Sequence, residues 1–557
     1  MDKDQTGSLF SSQKKNNMTG NEFDLLRMPA VVAAPLLTLL IGLISSSWLN
    51  RHARAAAQAA SWLGLGSFLS AGLALFPLLI LGKSSATFLT VGPFQISVYY
   101  DNLSAILLLL VSFLTAVITR YSRNYLDGDP NQGRFTRWLC LTAGSVQALV
   151  IVGNLVLFAA AWAAVSTCLH KLLVFYPDRP GALLAARKKF IFSRLGDLCL
   201  WATLVLVYRE FHTWDFLELF RQADASQSGG NSYAAIGFLL VLTALLKSAQ
   251  FPFHSWLPDT METPTPVSAL MHAGIINAGG FLVVRLSPII VLSPSALSLL
   301  AALGGFTALF ASLTMLTHAS VKRALAFSTV AQMGFMMLEC GVGAFSLAVL
   351  HLVAHSLYKA HAFLNSGSII EVSRSAWVPD GRPRAHPLLL AGAMTATGLL
   401  TSGSAWLLGV SLFQNPGSLL LGLVLWFSLG YMLWNLWCHF LSPALVATGL
   451  TLAGFAATAG FLLHRLFDFL LLPVLPRPKE VWTSTDTALA SVPLALFLAV
   501  LIFQTQLPAW SSHPLCRALY VHARNGFYFT TLANRLVAAL WPLPSMATAP
   551  KPNGIHP

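Results

Sequence analysis

The chain has 557 residues, of which 55% are hydrophobic and only 10% charged, and a formal net charge of +13. A soluble domain carries about 25% charged residues, so the soluble classes are excluded and a polytopic membrane protein remains. The positive balance does not point to nucleic acid, because most Lys and Arg fall in short connections between apolar runs, as the positive-inside bias requires.

Residues 1–27 read as a polar lead of mixed charge, without the apolar stretch and cleavage site of a secretory signal. Beyond them, runs of about 17–25 apolar residues can each span a bilayer. They are expected near 28–49, 61–82, 103–119, 138–153, 155–174, 190–208, 234–250, 266–286, 293–315, 322–342, 345–370, 388–410, 417–440, 443–463 and 486–505. The fold class is therefore an all-α polytopic membrane protein with about fifteen helices. Its parts are N-terminal helices over 28–137, five-helix blocks over 138–286 and 293–440, C-terminal helices over 441–505, and an amphipathic tail over 506–557. The stretches 83–102 and 209–233 read as the longest early loops. One set of alternate connections holds Arg51, Arg54, Arg120, Arg123, Arg134, Arg137, Arg179, Arg187, Lys188 and Lys189. The same set continues with Lys322, Arg323, Arg374, Arg382 and Arg384 and is expected to face the cytoplasm.

Two segments are expected to break within the membrane, one at Phe251-Pro252 and Pro258 after Lys247, the other at Thr401-Ser402-Gly403-Ser404. They take corresponding places in the two blocks. Paired interrupted helices point to an inverted repeat with ion sites at mid-membrane. An ionisable group at that depth costs roughly 2.5–3.5 kcal/mol on insertion scales and usually marks an ion path. Lys247 is the first such candidate; its alternative is a lysine snorkelling to the interface. Arg194 and Asp197, three apart, share a helix face and pair, either as a helix-end ion pair or as modulators of Lys247. His272 gains weight from Lys247 on the preceding segment. His351, His355 and Lys359 are spaced four apart and form one stripe, which suits a proton relay or interhelical hydrogen bonds. Glu339 and His361 are further candidates. The six cysteines are scattered without a CxxC, and Leu352 follows His351 where a zinc protease helix would carry Glu, so no metal site is expected in this chain.

Several stretches carry a family resemblance: Lys247-Ser248-Ala249-Gln250, Trp256-Leu257-Pro258-Asp259, the run Thr263 to Ala273, Val321 to Thr329, and His351 to Ser368. They resemble the antiporter-like subunit of complex I and of Mrp cation antiporters. The resemblance implies two inverted five-helix repeats. It also implies that Lys247, His272, His351, His355 and Lys359 line a hydrated axis, with Arg194 and Asp197 at matching places. Two departures stand out. Ala163 occupies the family's glutamate position after Trp162, and Met394 to Leu408 holds no charge. Narrower stretches, Leu169 to Pro180, Ala186 to Phe190, Arg194 to Asp197 and Tyr121 to Pro130, resemble the DabB family of membrane subunits in bacterial inorganic-carbon accumulation complexes. That implies a bacterial inner membrane location and a DabA-like peripheral cytoplasmic partner. It also implies zinc in that partner, no cofactor in this chain, and no catalysis by this chain itself. The subunit would move H+ or Na+ within membrane lipid and couple the gradient to hydration of CO2 to bicarbonate. Two readings stand beside it: a proton-pumping subunit of a respiratory NADH dehydrogenase or hydrogenase, and a passive membrane anchor. The partner is expected on the basic connections and the tail, through Arg179, Arg187, Lys188, Lys189, Arg382 and Arg384.

Overall fold

The computed structural model describes residues 28–92, 94–226, 230–368, 387–413, 416–439, 442–476, 484–510 and 512–541. Every expected span falls on a helix. Eleven helices among the described residues are long and apolar enough to cross a bilayer. Shorter apolar helices cover Met28–Leu43 (α1), Asn231–Lys247 (α9) and Ala495–Thr505, the last within α19 (Ser484–Trp510). The remaining span is α5 (Gln132–Ile151). The outer helices leave Leu73, Phe76, Leu198, Leu399, Phe455 and Phe469 exposed. A large apolar surface of this kind suits lipid.

The first helices are α1, α2 (Ser46–Arg51), α3 (Ala53–Leu81) and α4 (Asn102–Tyr125). The expected loop 83–102 is instead an antiparallel hairpin, β1 (Ser84–Val91) with β2 (Phe94–Tyr100), Val91 opposite Phe94. Both strands are rich in β-branched and aromatic residues, which fit a pleated strand better than a helix. Asp101 follows the hairpin. Its carboxylate caps α4 by accepting from the Ser104 N–H at 2.8 Å, and it pairs with buried Arg285 at 2.6 Å. The pair ties the start of α4 to the first block, and breaking it would leave a buried charge alone.

The first block is α5, α6 (Leu155–Leu173), α7 (Pro180–Phe211), the short connecting α8 (Phe216–Ala225), α9, and a broken segment. That segment runs through two 3-10 turns, Phe253–Trp256 and Pro258–Glu262, into α10 (Thr265–Ala273) and α11 (Ala278–Arg285). After α12 (Ser287–Ile290) the second block is α13 (Pro294–Met315), α14 (Val321–Gly341), α15 (Phe345–Leu364), α16 (Pro387–Leu407) and α17 (Pro416–His439). Small residues let α13 and α14 touch backbone to backbone. A Cβ on Gly334 would lie 2.6 Å from the Ala308 nitrogen, and one on Gly304 would lie 2.6 Å from the Leu338 nitrogen. α18 (Pro443–Leu471) follows, then α19 and two tail helices, α20 (Pro514–Arg524) and α21 (Phe529–Leu540).

Two expectations change here. α16 runs unbroken through Thr401 to Ser404. Small polar residues are tolerated in a spanning helix when their hydroxyls back-bond to the turn before, as Thr401 does to the Thr397 carbonyl at 2.7 Å. The helix stops instead at Leu407, beyond which Gly409 takes a left-handed φ of +62°. In addition, α7 starts about ten residues before the expected 190, with Pro180 at its first turn. The stretch holding Arg187, Lys188 and Lys189 is therefore helix, not loop.

Candidate functional site

Lys247 is the last residue of α9. Ala249 takes a left-handed φ of +51°, and the Gln250 N–H returns to the Leu245 carbonyl at 3.1 Å. This is a Schellman-type stop in which a non-glycine residue bears the unfavourable backbone. The chain then turns across the bundle, and the lysine stays buried inside it. Its Nζ donates to Ser166 Oγ of α6 at 2.5 Å and sits 4.4 Å from the Trp162 ring centroid. Lys189 of α7, also buried, donates to the main-chain oxygen of the same Ser166 at 2.7 Å. Ser166 lies one turn beyond Ala163. Ala163 offers the lysines no carboxylate, and Ser166 receives both of them. Asp197 is the acidic group whose field reaches both of them. It is paired with Arg194 at 2.7 Å.

The second group sits where the broken segment meets α14 and α15. His272 of α10 meets the Thr329 hydroxyl at 3.0 Å and stacks on Phe363 at 4.3 Å. Lys359, with 0% exposure, donates to the Leu325 carbonyl at 3.0 Å. His355 lies in the field of His351, Lys359 and His272. The His351 and His355 rings are 6.2 Å apart, and His351 Nδ1 is 2.9 Å from Glu339 Oε2. Between the groups, Asn277 of the broken segment donates to Ser356 of α15 at 2.8 Å, and Ser248 donates to the Ile276 carbonyl at 2.6 Å. Trp162 Nε1, both ring nitrogens of His254, His272 Nε2 and His355 Nε2 are buried without a protein partner. His361 lies apart, exposed on α15 beside a cavity that also exposes Phe113.

A third cluster was not read from the sequence. α18 brings buried His464 to within 3.4 Å of Asp468 Oδ2 and 3.4 Å of the Ser418 hydroxyl. Asp468 also accepts from Ser346, at the start of α15 and five residues before His351. The signal in the sequence was a His-to-Asp spacing of one turn, with Arg465 beside it, in a largely apolar run. No spacing rule connects that run to α15.

The expected docking residues divide. Lys188 is fully buried; it pairs with Asp259 of the second 3-10 turn and donates to the Ser255 carbonyl at 3.3 Å. Lys189 is taken up by Ser166. Arg187 donates to the Trp541 carbonyl at 2.7 Å and lies 4.8 Å from its ring, so it holds the chain's own tail. All three are buried: Lys188 and Lys189 are taken up inside the bundle, and Arg187 lies under the tail. Arg179 remains exposed, donating to the Glu262 carbonyl at 2.8 Å. Arg382 and Arg384 lie outside the described residues. The tail helices pack on α7, on α13 and on the first 3-10 turn.

A family model described as "NADH:quinone oxidoreductase/Mrp antiporter, TM" matches residues 152–380, and one described as "NADH-Ubiquinone oxidoreductase (complex I), chain 5 N-terminus" matches 88–136. The "Probable inorganic carbon transporter subunit DabB2" of Halothiobacillus neapolitanus is 39% identical over 547 residues, which is 95% of this chain and 98% of the relative. The chain belongs to the DabB family. The "Probable inorganic carbon transporter subunit DabB" of Hydrogenovibrio crunogenus is 43% identical over 57% of this chain and 61% of its own. Among solved structures, the Mrp complex of Dietzia sp. DQ12-45-1b matches with a TM-score of 0.56 at 23% identity, covering 92% of this chain and 55% of that one. Respiratory complex I of Thermus thermophilus matches with a TM-score of 0.51 at 19% identity, covering 90% of this chain and 99% of that one. At such identities the likeness is one of fold. This DabB-family chain is thus an antiporter-like, multi-pass membrane subunit.

Proposed function

We propose that the chain carries a cation, H+ ahead of Na+, across a bacterial inner membrane. The flow would drive hydration of CO2 to bicarbonate in a DabA-like cytoplasmic subunit. The carrying observation is the convergence of Lys247 and Lys189 on Ser166. Two ammonium groups on one serine interact strongly, so loading one disfavours loading the other, and the pair exchanges protons as a unit. Lysines repel Na+, which favours H+. From there Lys359, His355, His351 and Glu339 offer titratable groups in succession. The ring nitrogens without protein partners suit contact with water along that axis. Asp468 and His464 extend the row at the far end of α15, and Arg194 with Asp197 tunes the charge of the first cluster.

Zinc chemistry belongs to the partner in this reading. Among the described residues no group of three His, Cys, Asp or Glu lies close enough to hold a metal. The docking face then rests on Arg179, with Arg382 and Arg384 as sequence candidates, and on the outer face of the tail.

Expression with the partner in a carbonic-anhydrase-deficient host tests the reading. Lys247→Ala should abolish growth in ambient air while the complex still co-purifies. Full growth would reject it. One specific observation favours a passive anchor as the second reading: neither Ala163 nor α16 supplies the charge the wider family places there. The anchor reading predicts that Lys247→Ala grows normally. A respiratory role would appear as co-purified redox subunits.

A further inference from the structure

A polar cavity of 240 Å³ lies where the tail crosses the second 3-10 turn and the connection between α13 and α14. Its walls include Asp259, His318, Arg323 at the start of α14, and Arg524, Thr530 and Asn534 from the tail. The one carboxylate among these is already matched, because Asp259 is paired with Lys188. The ion pairs of the described residues include neither Arg323 nor Arg524. Arg524 Nη1 reaches the Tyr520 hydroxyl at 3.3 Å, a neutral partner. Both guanidinium groups act on one point. The His318 imidazole is held below the usual histidine range, first by burial and then by Arg323 and Arg524. His318 Nε2 and Asn534 Oδ1 are buried at the cavity without a protein partner. The Asn534 amide can be turned to aim its NH2 group inward. The first turn of α21, which carries Thr530, adds free N–H groups and the positive end of a helix dipole.

We propose that this cavity binds a small oxyanion of the phosphate or carbonate type, bridging Arg323 on the bundle and Arg524 on the tail. Guanidinium forks match oxygen pairs of this kind, and because both arginines are exposed the binding should weaken as salt rises. The space exceeds a bare oxyanion and admits either a hydrated free ion or the phosphate headgroup of a lipid. The site stands on its own lining and does not depend on the ion-path reading. An occupied site would also fasten the tail, which Arg187 holds at its other end through Trp541.

The test uses the full chain in neutral detergent at constant ionic strength. Equilibrium dialysis against radiolabelled inorganic phosphate measures the free ion, and native mass spectrometry measures retained phosphatidylglycerol. Saturable binding of one phosphate per chain, weakened about tenfold by Arg323→Gln and by Arg524→Gln, supports a free oxyanion. One retained phosphatidylglycerol, lost in the same variants, supports a lipid headgroup. Arg517→Gln, on α20 and away from the cavity lining, should leave either signal unchanged. Absence of both signals in the unmodified chain overturns the site, and so does binding that neither variant weakens. Should Arg524→Gln release the tail, Arg323→Gln alone decides, since its position lies in α14.

Discussion

The ends of α9 and α16 occupy the same place in successive blocks of the chain, and their backbones stop in the same way. α9 closes with Ala249 at φ +51° and a bond from the Gln250 N–H to the Leu245 carbonyl at 3.1 Å. α16 closes with Gly409 at φ +62° and a bond from the Val410 N–H to the Ala405 carbonyl at 2.8 Å. The side chain two residues before each left-handed position differs. It is Lys247, 6% exposed, in the first block and Leu407, 70% exposed, in the second. A helix stop is therefore a backbone device, separable from the charge that it positions. The first block keeps a lysine at its stop and seats it on Ser166. The second block keeps the stop without a charged side chain of its own; Arg465 of α18 donates to the Leu408 carbonyl there, and the further ionisable groups are Glu339 of α14, the α15 stripe, and His464 and Asp468 of α18.

The comparison breaks most sharply at Lys247. Lys247→Ala should reduce partner-dependent carbon accumulation to background while both subunits remain together, read by growth in air and by co-purification. A counterpart in the second block, Leu407→Ala, should leave growth unchanged. If the two variants behave alike, the charge at the stop has no role.

The α15 stripe comes next. Lys359→Ala or His355→Ala removes one member of a titratable row, and a positioned proton-transfer group typically contributes about a hundredfold. Proton flux into vesicles should fall by about that factor with assembly intact. Normal flux would make the stripe a set of interhelical hydrogen bonds. Asp468→Asn should act more weakly, about tenfold, because it keeps the hydrogen bond from Ser346 and removes only the charge. Unchanged flux would show that the second block uses no charge from α18.

The helices were legible because twenty-odd apolar residues have few other places to go, and Lys247, His272 and the α15 stripe were legible because charge in such a run is costly. What was not legible depends on partners far away in the chain. Lys188 and Lys189 look like surface charge by composition. They turn inward because Asp259 and Ser166, 71 and 23 residues away, receive them. Asp468 meets Ser346 across 122 residues. The break expected at Thr401 to Ser404 rested on its place opposite the first break, and the helix runs through it unbroken. Inside a membrane the backbone has no better partner than its own helix. The hairpin over 84–100 did carry a signal, in the alternation of Phe94, Ile96 and Val98 with Gln95 and Ser97, but the first strand lacks it, with its register shifted between Thr87 and Leu89, and a lone hairpin stands out weakly among long helices.

The smallest effects should come from the two left-handed positions themselves. Gly409→Ala places a Cβ in a conformation that costs roughly 1–2 kcal/mol for a non-glycine residue. The space itself is open enough, since the nearest atom to such a Cβ is Arg465 Nη1 at 3.6 Å. Replacing glycine returns roughly 0.5–1 kcal/mol of unfolded-chain freedom, so a net loss of about 0.5–1 kcal/mol should appear as lower resistance to unfolding in mixed micelles. Ala249→Gly runs the other way and should give less. It relieves a similar backbone cost, but Ala249 is fully buried, and removing its methyl forfeits about 0.8 kcal/mol of burial. Glycine also loses more freedom on folding, by roughly 0.5–1 kcal/mol. The terms nearly cancel, so a change within about 0.5 kcal/mol is expected. A clear gain in stability would mean that the strain at Ala249 is larger than its burial offsets. The first stop would then be held against its backbone preference by the packing around Lys247.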